Sequence, residues 1–217
     1  MKNDNYIPAL RFESLTTFYD PIVRLTTREK TFKKSLIEQS ELKAYQQILD
    51  LGCGTATMTI LIKQNEPSAK VFGLDGDAKI LIMARQKIEK LGLEIQLDEG
   101  MSYKMPYANA TFDRVLSSLF FHHLTRENKL KTLREVFRVL KPNGELHIAD
   151  WGLPSSFLMN IASSGIQLLD GKETTDDNFK GHLPAIVKES GFTKVEEKTH
   201  LNSLFGTIRL LKGEKKI

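Results

Sequence analysis

The sequence predicts an α/β protein built on one doubly wound, mostly parallel sheet of seven strands. Strand-like and helix-like patterns alternate from residue 47 to residue 151, which is typical of parallel strands joined by helices that cover both faces. Two later strand-like segments, at 194–199 and 206–212, are separated by only a short connection. Because such short links join antiparallel strands, we expect a C-terminal antiparallel hairpin in the sheet.

Each element is predicted from a short apolar run or from apolar residues at helical spacing. The parallel strands are predicted at residues 48–51, 70–75, 94–97, 112–118 and 145–150. Helices are predicted at residues 55–63, 77–91, 125–140, 154–169 and 183–190. The intervening residues 170–178 are mostly polar and are predicted to form a loop.

The segment before the first strand, residues 1–46, has a helical pattern. Apolar residues around Tyr19 lie at helical spacing, and a second helix is predicted over residues 28–39. We therefore divide one domain into an N-terminal helical cap, residues 1–46, and a core, residues 47–217. Tyr19 is a candidate ligand contact in this cap, and an amphipathic core tyrosine is the alternative.

Composition excludes several classes of protein. The chain has 217 residues, a net charge of +4 and 41% apolar residues, which is ordinary for one globular domain. Its single cysteine, Cys53, excludes an internal disulfide and a zinc site built on several thiolates. No apolar run reaches the roughly 18 residues of a membrane span, so we expect a cytoplasmic protein. The lysines are better explained as solvated faces than as a nucleic-acid groove.

The ends of the first two strands carry residues suited to a nucleoside ligand. Gly52, Cys53 and Gly54 form a tight turn before a helix, where the backbone can approach a ligand and the helix offers free N–H groups. Asp75 ends the second strand about twenty residues later, the position from which a carboxylate binds ribose hydroxyls. A dinucleotide fingerprint needs a third glycine where Thr57 stands. A dinucleotide-dependent oxidoreductase is therefore disfavoured.

Five motifs follow one another in the middle of the chain. They are ILDLGCGTA at 48–56, GLDGD at 73–77, MPYANATFDRV at 105–115, FHHL at 121–124 and LREVFRVLKPNGELHIADW at 133–151. With these motifs the chain resembles the class I S-adenosylmethionine-dependent methyltransferases, in the small-molecule branch similar to the ubiquinone and menaquinone biosynthesis enzymes. The resemblance is dense over residues 45–152, loose at both ends, and implies a Rossmann-like fold.

The resemblance implies S-adenosylmethionine as cofactor and S-adenosylhomocysteine as product, and it assigns contacts to residues at the strand ends. The methionine moiety and its sulfonium would meet Asp50, Gly52, Gly54 and Ser118, the ribose Asp75, and the adenine Gly76, Asp77, Met101 and Ser102. Three positions depart from the family pattern. Asn143 replaces a common glycine and is expected to keep the turn at 141–144, because asparagine also accepts positive φ. Ala56 replaces a common glycine and is expected to be tolerated in a helical backbone. Met101 replaces a common aspartate and removes an acceptor for the adenine amino group.

Residues after the fourth and fifth strands are candidates for acting on the methyl acceptor. His122 or His123 could serve as a general base or orient the substrate, and a purely structural role is the alternative. Phe121 and Trp151 are predicted to wall the acceptor pocket, with packing beneath the sheet edge as the alternative for Trp151. These residues predict metal-independent, in-line methyl transfer to oxygen, nitrogen or carbon of a small molecule.

The sequence leaves two alternative functions open. An RNA or protein methyltransferase is one alternative, and a non-catalytic S-adenosylmethionine-binding protein of the same fold is another. Amino-directed nucleic-acid enzymes carry an Asn/Asp-Pro-Pro-aromatic motif after the fourth strand, where this chain has Ser-Ser-Leu-Phe at 117–120. The sequence predicts neither the identity of the acceptor nor the oligomeric state.

Overall fold

The computed structural model describes residues 28–216, apart from four side chains at positions 166 and 168–170. Its strands are β1 (Gln47–Leu51), β2 (Lys70–Asp75), β3 (Gln96–Glu99), β4 (Phe112–Ser118), β5 (Leu140–Trp151), β6 (Thr193–Asn202) and β7 (Thr207–Glu214). They form one seven-stranded sheet in the order β3-β2-β1-β4-β5-β7-β6. The first five strands pair in parallel, and β7 pairs antiparallel with both β5 and β6. The predicted fold class and terminal hairpin are confirmed.

The strand order reverses at β1, which pairs with β2 on one side and with β4 on the other. Crossovers leaving this point diverge in opposite directions, so a crevice opens at the carboxyl ends of β1 and β4. Asp50, next to the end of β1, lies beside Gly73 of β2 and Leu116 of β4. The fold therefore places the glycine turn at the mouth of this crevice.

Seven helices lie within the described residues, and they cover both faces of the sheet. They are α1 (Glu29–Ser40), α2 (Thr57–Asn65), α3 (Ala78–Lys90), α4 (Arg126–Val139), α5 (Phe157–Asp170), α6 (Lys172–Phe179) and α7 (Leu183–Glu189). Alternate residues of β1 point to opposite faces, because side chains alternate along a strand. Leu49 packs in a cluster with Leu133 of α4, whereas Ile48 packs with Phe32 of α1.

The predicted second helix of the N-terminal segment is confirmed as α1. Phe32 and Leu36 are fully buried against the sheet, so α1 belongs to the packed layer beside β5. Tyr19 lies outside the described residues. None of the helices within residues 28–216 is long and apolar enough to cross a membrane.

The predicted loop at residues 170–178 is wrong, because most of this stretch forms α6. Its polar side chains face inward: Thr174, Thr175 and Asn178 are buried. The Lys129 Nζ of α4 donates a hydrogen bond to the backbone oxygen of Thr174 at 2.6 Å. An apolar pattern does not reveal a helix whose buried face is made of hydrogen-bonded polar residues.

Candidate active site

The turn between β1 and α2 uses three residues with left-handed backbone. Gly52 has φ +71°, and a Cβ there would lie 2.4 Å from Cδ2 of Phe120. Gly54 has φ +53° with open space around it. Ala56, with φ 61°, precedes the first turn of α2. The expectation that Ala56 has a helical backbone is wrong, and its positive φ explains why glycine suits this position.

A cleft of about 750 Å³, partly open to solvent, lies at the carboxyl edge of the sheet beside this turn. Among the predicted site residues, its lining includes Gly52, Asp75, Gly76, Met101, Ser102 and His123. Its remaining lining comprises Leu51, Leu74, Gly100, Tyr103, Phe120, Leu124, Thr125 and Asn128. The cleft combines apolar walls with a few polar groups, as small-molecule sites do.

Asp50 lies below the turn and is 1% exposed. Its Oδ2 accepts a hydrogen bond from the Thr59 hydroxyl at 2.6 Å, while its buried Oδ1 has no partner among residues 28–216. Burial raises the pKa of Asp50 to about 6, despite the Thr59 hydrogen bond and the nearby Lys33. A buried carboxylate oxygen of this kind needs a donor, preferably a cationic one.

Asp75 joins the two glycine-rich turns. Its Oδ2 accepts from the Gly54 N–H at 2.8 Å, and its Oδ1 accepts from the Asp77 N–H at 3.0 Å. Burial raises the pKa of Asp75, against the pull of these N–H groups. The carboxylate of Asp77 accepts from the N–H groups of Lys79 and Ile80 and caps α3, so this side chain is committed to the helix and lies outside the cleft lining.

The two histidines form a 3-10 turn, Phe121–His123, after β4. Their ring centroids are 3.9 Å apart. His122 Nδ1 lies 2.6 Å from Oδ1 of Asp150, at the end of β5. His123 reaches the cleft, and burial together with the neighbouring His122 holds its pKa well below the usual value of 6.5. A neutral imidazole in a cleft can accept a proton.

Two predicted pocket residues lie elsewhere. Phe121, which was predicted to wall the acceptor pocket, is fully buried in the core and lies outside the lining of this cleft. The 3-10 turn directs Phe121 inward and leaves Phe120 at the cleft. Trp151 is 5% exposed and borders a separate cavity of about 400 Å³ with Asn178 and Leu183. Gly54 and Ser118 also lie outside the cleft lining.

The described residues fit a sulfonium nucleoside cofactor. The unpartnered Oδ1 of Asp50 calls for a cationic donor such as an amino-acid ammonium. The missing side chain of Gly52 lets the ring of Phe120 pack directly against the turn. Asp75 and Gly76 line the same cleft, where a ribose would meet a carboxylate. The site thus offers complementary groups to both ends of such a ligand.

Comparison with solved structures agrees with this fold. A SAM-dependent methyltransferase from Aquifex aeolicus superposes with a TM-score of 0.66 at 20% identity, covering 89% of this chain and 92% of that one. At this identity the likeness shows the fold. Residues 48–144 match the family model described as a methyltransferase domain. This central part of the chain is therefore similar to the methyltransferase-domain family.

Curated relatives are more similar to this chain in sequence than that solved structure is. The demethylmenaquinone methyltransferase of Lactobacillus johnsonii is 32% identical over 155 residues, covering 69% of this chain and 63% of the relative. The ubiquinone/menaquinone biosynthesis C-methyltransferase of Blochmanniella floridana is 30% identical over 162 residues, covering 72% and 63%. The matched region thus spans less than two thirds of the length of these relatives.

Proposed function

We propose that this protein transfers a methyl group from S-adenosylmethionine to a small-molecule acceptor without a metal ion. The observation that carries the proposal is one cleft that joins Gly52 and Asp75 to His123, beside the unpartnered oxygen of Asp50. The methyltransferase-domain match over residues 48–144 supports it. The composition favours the cytoplasm as the place of this activity.

Each cofactor-binding residue has a separate task in this proposal. The buried carboxylate of Asp50 binds the methionine ammonium, directly or through water. Asp75 accepts hydrogen bonds from the ribose hydroxyls while its Gly54 and Asp77 contacts hold it in place. Met101 and Ser102 pack beside the adenine. The cofactor supplies a methyl group bonded to a positively charged sulfur, so the protein needs to align the acceptor and remove its proton.

His123 is the proposed general base. Its depressed pKa leaves the imidazole neutral at physiological pH, so a ring nitrogen can take the acceptor's proton as the new bond to the methyl carbon forms. The carbon–sulfur electron pair leaves with sulfur, which becomes neutral. Proton, methyl group and charge therefore balance without a metal or an oxidant.

The acceptor class follows from the walls of the cleft and from the relatives. Phe120, Tyr103 and Leu124 give the cleft an aromatic and apolar lining, which suits a flat ring. The curated relatives are named for demethylmenaquinone methylation and for C-methylation in quinone biosynthesis. We propose a hydroxylated aromatic ring, a phenol or quinol, whose O–H proton goes to His123 as the neighbouring ring carbon attacks the methyl group. The hydrogen on that carbon then leaves as a proton and the ring oxygen takes a proton back, which restores the aromatic ring.

The test is formation of S-adenosylhomocysteine and of a methylated product with a panel of phenols and naphthoquinols, in buffer containing a chelator. We expect turnover that survives chelation. His123→Ala is expected to lower kcat at least tenfold and to change cofactor affinity little. The control is His200→Ala, because His200 is exposed on β6.

Three outcomes would contradict parts of the proposal. Equal turnover by the His123→Ala variant would remove the general base. Cofactor binding without turnover on any ring would favour the non-catalytic alternative. Salt-dependent RNA binding with methylation of RNA would favour the nucleic-acid alternative.

A further inference from the structure

The buried carboxylate of Asp150 accepts hydrogen bonds from five donors. Its Oδ2 accepts from the backbone N–H groups of Phe120, Phe121 and His122 at 3.1, 2.7 and 3.3 Å. Its Oδ1 accepts from Nδ1 of His122 at 2.6 Å and from the N–H of Trp151 at 2.7 Å. Asp150 is 1% exposed, so these donors satisfy a charge that would otherwise be costly to bury.

These contacts fix both the backbone and one imidazole of the 3-10 turn. The three N–H bonds tie the turn after β4 to the end of β5. Because a carboxylate only accepts hydrogen bonds, His122 must carry its proton on Nδ1. The His122 side chain is 4% exposed, so its ring cannot swing away without losing this bond.

The fixed ring of His122 lies directly against the ring of His123, with centroids 3.9 Å apart and planes inclined by 42°. The centroid of His122 is also 6.5 Å from that of Trp151. The three rings therefore form a row from the end of β5 to the cleft. His123 is the member of this row that lines the cleft.

Lys129 of α4 faces Asp150, and ion pairs continue from there to α6. Lys129 is fully buried, interacts electrostatically with Asp150, and lies 3.7 Å from Asp177 of α6. Arg126 of α4 also pairs with Asp177. None of these side chains is changed in His122→Asn, whereas Asp150→Asn removes the carboxylate that interacts with Lys129.

We propose that Asp150 and His122 are positioning residues, which hold the imidazole of His123 against the cleft in the orientation that a general base needs. The inference rests on the proposed function in so far as His123 receives the acceptor's proton. Asp150 fixes the turn and the Nδ1–H tautomer of His122, and the ring of His122 supports that of His123. Neither Asp150 nor His122 lines the cleft.

The first test uses the protein without cofactor. Nitrogen chemical shifts of the five histidine imidazoles report tautomer and titration separately from activity. In the wild type we expect Nδ1-protonated His122, and we expect Asp150→Asn to lose this tautomer preference. His122→Asn keeps an N–H donor for Asp150 but removes the neighbouring ring. Its His123 is expected to titrate at higher pH, because His122 lowers the pKa of His123.

The second test is kinetic. His122→Asn is expected to lower kcat at least tenfold while KM for S-adenosylmethionine changes less than threefold. The acidic limb of the pH–rate profile should move to higher pH with the titration of His123. The matched control is His147→Gln, which alters another buried histidine of β5 that lies outside the cleft lining and should leave both readouts unchanged.

The outcomes separate this inference from the proposed function. If the wild type transfers methyl groups and His122→Asn matches it in kcat and in His123 titration, the positioning role is wrong and the function stands. If the wild type binds no cofactor, the function is wrong. Should Asp150→Asn not fold, His122→Asn still decides, because it retains all four backbone N–H bonds to Asp150. A loss of stability with unchanged kcat and titration would leave His122 a packing residue and overturn the proposal.

Discussion

At the residue scale, the carboxylate of Asp50 is held by one hydroxyl, from Thr59, and has one oxygen without a partner. Its pKa is raised from 3.8 to about 6 by burial. A difference of two pH units corresponds to about 3 kcal/mol of unfavourable free energy for the ionised group in the folded chain. A cationic ligand at Asp50 would offset this energy and so stabilise the folded chain.

Asp50→Asn should remove this pH dependence. The wild type is expected to lose stability relative to the variant as pH rises from about 4 to 6, since the folded state holds the proton more tightly than the unfolded state in that range. The difference between their unfolding free energies should change by about 3 kcal/mol across this window. Urea unfolding at several pH values measures it. Parallel stability curves would contradict the raised pKa of Asp50.

Gly52 and Gly54 form a matched pair at the turn. Both have positive φ, but only at Gly52 would a Cβ meet the ring of Phe120. Gly54→Ala is expected to cost about 1 kcal/mol from backbone strain, and Gly52→Ala a further 1–3 kcal/mol or so from overpacking. In Gly52→Ala combined with Phe120→Ala, the second contribution should disappear. Equal losses for both single variants, measured by urea unfolding, would show that Phe120 moves freely.

At the element scale, the sequence predicts elements well where buried faces are apolar. The parallel strands and the hairpin were predicted correctly, because short apolar runs such as Ile48–Leu51 indicate buried strands. The polar α6 was missed because Thr174 and Asn178 are buried through backbone and side-chain hydrogen bonds, which hydropathy does not register. β5 begins at Leu140 rather than 145, and residues 141–144 form an irregularity between its pairings with Phe112 and Arg114 of β4.

The site was predictable where a residue acts through its place at a strand end. Asp75 and His123 reach the cleft as expected. Phe121 and Phe120 could not be distinguished, because which one faces the cleft depends on the 3-10 turn that Asp150 holds by its N–H groups. In the sequence, Asp150 is recognisable as a carboxylate at a strand end. Its hydrogen-bond donors, however, come from a loop about thirty residues earlier in the chain.

A buried network attaches α1 to the sheet at the edge away from the cleft. His147 Nδ1 lies 3.1 Å from Nε2 of Gln39, and Nε2 of His147 lies 3.0 Å from Oε2 of Glu145. Although burial opposes it, bonds from His147 and Lys212 hold the pKa of Glu145 at about 2. Burial lowers the pKa of His147, against the pull of Glu145. The neutral ring therefore accepts from Gln39 and donates to Glu145.

Acid should weaken this attachment. Because the folded pKa of His147 lies below its unfolded value of 6.5, its contribution is complete above pH 6.5 and is lost as pH falls below that value. The stability advantage of the wild type over His147→Gln is expected to shrink on acidification. The amide protection factors of α1, which are corrected for the intrinsic pH dependence of exchange, should fall in the wild type over the same range. Glu38→Gln, which breaks an exposed pair with Lys34 on α1, is the control and should change stability by no more than about 0.5 kcal/mol.

At the scale of the whole molecule, the strand order brings distant segments to one crevice. The turn after β1, the carboxylate after β2 and the histidine turn after β4 meet at the carboxyl edge of the sheet, where ligands bind in doubly wound folds. The match to a methyltransferase domain covers this part of the chain, residues 48–144. The segments on either side, where the resemblance is thin, are expected to select the acceptor.

The central claim is that this cleft binds S-adenosylmethionine. Calorimetric titration of the wild type with S-adenosylmethionine, S-adenosylhomocysteine and NAD tests it. Both sulfur nucleosides are expected to bind with one site per chain, and NAD is not. Saturation at 100 times Kd should stabilise the fold by about 2.7 kcal/mol, visible as a higher Tm. Failure of both sulfur nucleosides to bind at millimolar concentration would contradict the central claim.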